Sequence, residues 1–488
     1  MVPDRADILA DRAGHEDRGE GIVRNVTAEP AAGLSRRRQV RLSRYAIAGP
    51  VFDVGGSEPQ RLVFSTRSTR LGLVPDRQWQ ALERGEMDAV PPAFVQAMLD
   101  NGFAVPVEED ELRAVLAENR QSSGDAAELV QVLQPSAACQ LGCTYCGQAH
   151  QASSLSAHRQ EAILARIRDR LSAATDSGKP FESLNVGWFG AEPLLGMGAI
   201  RAMSPRLSRL ADEFDCAFSA RVITNGLLLT TETATELQSH GVKYVEVTLD
   251  GTESVHDARR ATKGGRGSFA TIMANLTQVA SNPNLGFELV VRTNVDASNA
   301  DDVPRLIDLL ARNGINKRAK LYFSPVYSWG NDAHLAALTP EVYAWHETQW
   351  LNQMFELGFA LDPLPERHRI VCLALQRDGR VTDAFGTEFN CTEAPLVPAY
   401  GAPNRYAVGH VDDANGNGVS LPFATWYDEI EDGTQSACAS CRMLPVCGGA
   451  CPKAWLDGNP PCPSTKHNIV DRMSLALLAG RQAAPGNL

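Results

Sequence analysis

Residues 128–146 read ELVQVLQPSAACQLGCTYC, a run of strand-forming residues leading directly into three cysteines, Cys139, Cys143 and Cys146. Iron–sulfur cubes ordinarily take one Cys per iron. Three thiolates therefore leave one iron with an open position, where a substrate or cofactor binds. Two blander readings stand beside this one. Structural zinc needs a closed set of four ligands, and His150 would complete a Cys3His set. Three unrelated core thiols are the other, because Cys is among the most buried residue types.

Working outward, the pattern of an apolar strand followed by a chemically distinctive loop recurs along the chain. Six strand candidates stand out: ELVQVLQP, LNVGWFG, ARVITNG, KYVEVTLDG, FELVVRTNV and AKLYFSPVY. Between them lie segments such as SAHRQEAILARIRDRLSAA and DDVPRLIDLLARNG, with apolar residues at helical spacing. Strands alternating with amphipathic helices are the signature of βα units around a parallel sheet. Six units predict an α/β fold built on a partial (β/α)6 TIM-like barrel over residues 127–335. In such barrels the functional groups sit on loops after the carboxyl ends of the strands. The first four strands here lead to the Cys triplet, to Gly190-Ala191-Glu192-Pro193, to Thr224-Asn225-Gly226 and to Asp250-Gly251. Gly, Asn and Asp are also ordinary turn formers, so it is the repetition beside a cysteine triplet that points to a site.

Flanking this core, residues 1–38 are rich in charge, Gly and Ala without apolar periodicity and read as a flexible leader. Residues 39–122 carry two strand-like pieces, QVRLSRYAI and QRLVFST, and three short helical stretches. They predict a small α+β, winged-helix-like module. Residues 336–365 form a bridging region, residues 366–475 hold seven cysteines, and residues 476–488 form a tail. The net charge of −12 disfavours a nucleic-acid partner, and the basic run from Arg36 to Arg44 reads as a solvated lead-in to a strand. No stretch approaches the roughly 18 apolar residues of a membrane helix, and the N-terminus lacks a signal peptide's features. A cytoplasmic protein with no membrane partner is expected, and in that compartment Cys spacing signals metal or catalysis before disulfides. Cys216 belongs to neither cysteine set and reads as a core thiol.

CQLGCTYC resembles the cluster loop of the radical S-adenosylmethionine (SAM) superfamily, and the C-terminal cysteines resemble its SPASM branch. Cys372 and Cys391 fit C-x13-G-x4-C with Gly386 in place; Cys438, Cys441, Cys447 and Cys451 follow as C-x2-C-x5-C-x3-C, and then Cys462. The resemblance implies one 4Fe-4S cluster on Cys139, Cys143 and Cys146 whose open iron chelates SAM, with Tyr145 near the adenine. GAEP is similar to the family's GGEP loop, which implies that Gly190, Ala191 and Glu192 hold the methionine amino group. Because Ala191 replaces a glycine, its methyl group predicts a loop that manages without positive φ there. Asn225, Thr248, Arg260 and Val326 fall where family members contact SAM.

By the same resemblance Cys438, Cys441, Cys447 and Cys462 hold one auxiliary 4Fe-4S cluster, and Cys372, Cys391 and Cys451 another. The second lacks a fourth Cys; Glu366 and His368 are candidate substitutes, as is an open iron. Two auxiliary clusters imply that a product radical is finally oxidised. The resemblance therefore points to an oxidoreductase that modifies a ribosomally made precursor peptide, most simply by crosslinking side chains, with a reductant such as flavodoxin or ferredoxin as partner. It makes 39–122 a leader-binding module whose deletion weakens peptide binding while sparing SAM cleavage. Sulfatase-maturating relatives are the competing function. They place an Asp immediately after the second SPASM Cys, where this chain has Thr392 and Glu393, which leaves Glu393 or Asp383 as candidate base. A non-catalytic iron–sulfur electron carrier is a further alternative.

Overall fold

The computed structural model of the protein describes residues 24–25, 39–53, 58–413 and 421–483. The flexible-leader reading of 1–38 lies outside these apart from Arg24–Asn25, a two-residue strand β1. The N-terminal module then runs through β2 (Val40–Leu42), β3 (Ala46–Phe52), β4 (Gln60–Ser65) and β5 (Leu71–Pro75) to helices at Asp76–Glu83 and Pro92–Asp100. Strand β6 (Ala104–Pro106), paired with β2, and a helix at Glu111–Gly124 complete it. Strands β3, β4 and β5 form an antiparallel meander, with β1 parallel to β5.

The sequence reads QVRLSRYAI as one strand, but the structure breaks it between β2 and β3. The cause lies about seventy residues away. Glu111 is 1% exposed and collects Ser43 Oγ at 2.5 Å, the Arg44 backbone N–H at 3.0 Å and the Arg41 guanidinium at 2.8 Å. A buried carboxylate needs such donors, and gathering them bends the chain. Arg41 and Arg44 are thus tied rather than merely solvated, Arg44 also donating to Ala439 O at 2.7 Å.

The six expected core strands are present: β7 (Glu128–Leu133), β8 (Ser183–Trp188), β9 (Ala217–Thr224), β10 (Val242–Thr248), β11 (Glu288–Val295) and β12 (Ala319–Pro325). They pair in parallel in chain order, a partial barrel running from β7 to β12. Alternation along each strand decides what it packs against. Leu129, Leu133 and Leu184 join the core shared with the surrounding helices, whereas Val130, Val132 and Ile223 face inward to a second core with Cys372 and Cys391.

The Cys-rich region continues the barrel sheet. Strand β13 (Arg380–Thr382) adds in parallel to β7, and β14 (Thr387–Phe389) and β15 (Ala407–His410) extend it antiparallel, giving nine strands. A helix at Pro340–Glu356 occupies the bridging region and packs on the C-terminal helix Thr465–Ala483, where Arg472 pairs with buried Glu347 at 2.7 Å. That last helix runs past the expected start of the tail at 476. Among the described residues no helix is long and apolar enough to cross a membrane. Cys216 is buried in the barrel core, its thiol donating to Phe181 O at 3.0 Å.

Candidate functional site

The loop after β7 is pinned to the segment following the helix Glu253–Arg260. Gly142 and Thr144 donate backbone N–H to the carbonyls of Ala261 and Arg259, and Lys263 donates to Gln140 O, each at 2.9 Å. The pinning turns Cys139, Cys143 and Cys146 toward one cavity of about 170 Å3 at the carboxyl ends of the strands. Tyr145, Asn225, Thr248, Arg260 and Val326 line it, as do Gly190 and Ala191. Asn225 Nδ2 lies 3.8 Å from Cys139 Sγ, the kind of donor that tunes cluster sulfur.

Do these thiols fit a cube? Among the described residues no group of three or more His, Cys, Asp or Glu side chains sits at the spacing for one metal ion. A cube puts its thiolates on separate irons, so convergence on a shared cavity is the relevant criterion, and the triplet meets it. His150 Nε2 lies 3.9 Å from Cys146 Sγ, a contact with one thiol. Burial pushes the Cys139 thiol up to about 12, so a bare thiolate there is disfavoured and needs positive charge, such as iron, to form.

The GAEP loop departs from expectation at two residues. Gly190 has φ +99° and Ala191 has φ +48°, so Ala191 does adopt the left-handed conformation that its methyl group opposes. The neighbouring contacts enforce it: Ala191 N–H donates to Gln148 Oε1 at 3.2 Å, and Glu192 N–H to Ala138 O at 3.0 Å. Left-handed backbone costs a non-glycine residue about 1 kcal/mol. Ala191→Gly is therefore expected to raise the stability to urea by about 1 kcal/mol, and a lowered unfolding midpoint would contradict the assignment of strain.

The second departure is Glu192, expected to face the methionine amino group. It is fully buried, and its carboxylate turns inward to accept from Leu194 N–H at 2.9 Å, Thr224 Oγ1 at 2.7 Å and Asn225 N–H at 2.8 Å. Burial raises its pKa while these donors oppose the rise. The side chain does not line the cavity. It rivets the loop after β8 to the loop after β9, so the backbone of Gly190 and Ala191 is what the cavity meets.

Across the cavity, the Tyr145 hydroxyl donates to Asp250 Oδ2 at 2.5 Å and accepts from Arg260 Nη1 at 2.5 Å and Asn294 Nδ2 at 3.0 Å. Burial raises the pKa of this phenol well above its ordinary value. Buried His256 anchors Asp250 by accepting its backbone N–H on Nδ1 at 3.1 Å, while Nε2 meets Ser268 Oγ at 3.0 Å. Burial drops the His256 imidazole to about 4. Its folded pKa lies below the unfolded value of about 6.5, so its contribution is fully present above pH 6.5 and is lost as pH falls toward 4. The loss amounts to about 3 kcal/mol. Urea midpoints measured from pH 7.5 to 4.5 should fall more steeply for the natural chain than for His256→Gln, and superimposable profiles would refute this.

The structure brings the C-terminal cysteines into two groups. Cys438, Cys441, Cys447 and Cys462 lie within electrostatic reach of one another, and burial pushes Cys438 and Cys447 up to about 12. Cys372, Cys391 and Cys451 line a second, smaller cavity. Cys451 also lines the first, so the two cavities share a wall. Glu366 and His368 do not line the second cavity. Glu393 lines the first. Asp383 does not: its carboxylate accepts the backbone N–H groups of Phe385 and Thr387 at 2.8 and 2.9 Å, capping the turn between β13 and β14. Of the two candidate bases, Glu393 is thus the one placed at the cavity.

Three cavity residues escape a reading by motif: Arg292, Asn294 and Ser324. Arg292 Nε donates to Asn294 Oδ1 at 2.8 Å and Nη2 to Ser324 Oγ at 2.7 Å. The available signal was an Arg and an Asn two apart in the apolar strand FELVVRTNV, which period-two alternation puts on one face.

Residues 133–310 match the family model described as the radical SAM superfamily. The Fe-coproporphyrin III synthase of Methanosarcina barkeri is 29% identical over 143 residues, covering 29% of this chain and 34% of that protein. An uncharacterized protein of Synechocystis sp. is 25% identical over 178 residues, 35% of this chain and 43% of that one. The chain thus spans less than half the length of these curated relatives. Among solved structures, one described as native anSMEcpe with bound AdoMet and Cp18Cys peptide matches with a TM-score of 0.52 at 15% identity, covering 73% of this chain and 98% of that chain. That likeness is one of fold.

Proposed function

We propose that the chain, whose residues 133–310 match the radical SAM superfamily, is an enzyme of that superfamily that oxidises a ribosomally made peptide, joining two of its side chains. The observation carrying this reading is Cys451, which lines both the cavity of the Cys139–Cys143–Cys146 triplet and that of the C-terminal trio. An electron leaving a substrate in the first cavity has a short route to the second.

Cys139, Cys143 and Cys146 would hold a 4Fe-4S cluster, which together with SAM would supply one-electron reductive cleavage chemistry and so the means to remove a hydrogen atom from the peptide. The chain's own residues bind and shield. Gly190 and Ala191 offer backbone to the methionine end of SAM, held there by Glu192. Arg260 neutralises a carboxylate, Tyr145 and Val326 frame the adenine, and Asn225 and Thr248 lie beside the ribose. Glu393, at the cavity wall, accepts the proton released as the bond forms. Cys438, Cys441, Cys447 and Cys462 hold one auxiliary cluster and Cys372, Cys391 and Cys451 the other. Residues 39–122 engage the peptide's leader, and a flavodoxin or ferredoxin in the cytoplasm delivers the electron that starts the reaction.

The test is anaerobic incubation of reconstituted protein with SAM, a reductant and precursor peptides encoded beside it. The expected product has lost two hydrogens and gained a crosslink, with 5′-deoxyadenosine formed in step. Conversion of a Cys or Ser to an aldehyde would instead establish sulfatase-type maturation. Absence of 5′-deoxyadenosine under every condition would leave an electron carrier.

A further inference from the structure

The trio Cys372, Cys391 and Cys451 supplies three thiolates, and two residues lining the same cavity carry side-chain oxygens without a hydrogen-bond partner among the described residues, Asn390 Oδ1 and Thr392 Oγ1. Both residues are buried, at 0% and 1% exposure. They flank Cys391 directly in the sequence Asn390-Cys391-Thr392. The amide nitrogen of Asn390 is directed to Ala374 O at 3.5 Å, which leaves its oxygen as the free end. Buried polar atoms are nearly always satisfied, and an orphan in a folded protein signals a water or ion that belongs beside it. Both orphans belong to residues that line the same cavity as the three thiols, and each oxygen has a lone pair to offer a metal or a water.

The other polar side chain at this cavity does not compete. Lys453 is 1% exposed, and its ammonium donates to Tyr400 Oη at 2.8 Å and Asp457 Oδ2 at 2.5 Å. It also rests against the rings of Trp329, Tyr400 and Tyr406, 4.4 to 5.1 Å from their centroids. An ammonium so held has no lone pair to offer iron. Glu366 and His368 do not line the cavity.

We propose that the fourth iron of this auxiliary cluster takes an oxygen ligand at Asn390 and Thr392, either the Thr392 hydroxyl itself or a water held by both side chains. The inference rests on the reading of Cys372, Cys391 and Cys451 as a cluster site. Its consequence is a division of labour: with its corner occupied by an oxygen from Thr392 or a water held by the protein, this cluster takes electrons while the substrate binds in the first cavity.

The experiment uses the full chain with Cys139, Cys143 and Cys146 replaced by alanine, so that the open iron of the triplet cluster contributes no signal. Reduced protein in 17O-enriched water is examined by electron–nuclear double resonance, with Thr392→Val and Asn390→Leu compared. An 17O coupling that weakens in both variants supports a held water. No coupling at first, with one appearing in Thr392→Val as solvent replaces the hydroxyl, supports direct ligation. Spectra that are free of 17O coupling and identical in all three proteins overturn the oxygen ligand while leaving the cluster intact. Iron content unchanged by replacing Cys372, Cys391 and Cys451 overturns the cluster and this inference together.

Discussion

Replacing Cys139, Cys143 and Cys146 together by alanine is expected to abolish 5′-deoxyadenosine formation and to remove about four irons per chain, while any iron held by the C-terminal cysteines remains. The expectation is specific because the loop does not depend on its thiols for shape. Its backbone is fixed by three hydrogen bonds with Arg259, Ala261 and Lys263, and by Ala149 N–H to Leu396 O at 2.7 Å. Glu192 holds the two facing loops together without touching the cysteines. Alanine removes the metal ligands and leaves that scaffold, so loss of activity with retained secondary structure is a chemical loss. Iron analysis and quantitation of 5′-deoxyadenosine check it. SAM cleavage persisting in the triple variant would remove the basis of the functional reading.

The features legible in the sequence were those written locally. The six parallel strands are mostly buried, so each is dominated by apolar and β-branched residues with a few polar ones among them, and each distinctive loop follows its strand in the chain. The Cys139–Cys143–Cys146 triplet and the seven C-terminal cysteines were equally local, set apart by their spacing, whereas the division of the seven, with Cys451 lying between Cys447 and Cys462 in the chain, came from the resemblance. What stayed hidden depends on partners distant in the chain. Ser43 breaks a strand because Glu111 needs its hydroxyl. Ala191 accepts positive φ because Gln148 and Ala138 hold the peptides on either side. Glu192 carries the expected acid in the expected motif, yet its burial turns it inward. Asp383 resembles a base in the sequence and is a turn cap in the fold. The joining of β13 to β7 is likewise invisible locally, for a three-residue strand carries almost no pattern.

The N-terminal module is the case where a long-range contact changes the outcome of an experiment. Read from sequence, residues 39–122 form a detachable unit whose deletion spares SAM cleavage. In the structure only one face of its sheet, through Val63 and Val74, packs on the module's own helices. The other face presents Ile47, Leu62, Phe64, Leu71 and Leu73 to Met443, Val446, Cys447 and Met473. Thr66 Oγ1 donates to Arg442 O at 2.6 Å, and Arg120 pairs with Glu431 at 2.5 Å. Uncovering a large apolar side chain costs about 1.5–3 kcal/mol, so exposing Met443, Val446 and Met473 together with Cys447 costs on the order of 5–10 kcal/mol, comparable to the whole stability of a domain. The surface laid bare surrounds Cys438, Cys441 and Cys447. Deleting 39–122 is therefore expected to give a poorly soluble protein lacking about four irons of the C-terminal complement, with peptide modification lost as well as peptide binding. Iron counting and sedimentation on the deletion protein test this. Full iron content with undiminished SAM cleavage would mean that the shared apolar face is dispensable and the module a separable accessory.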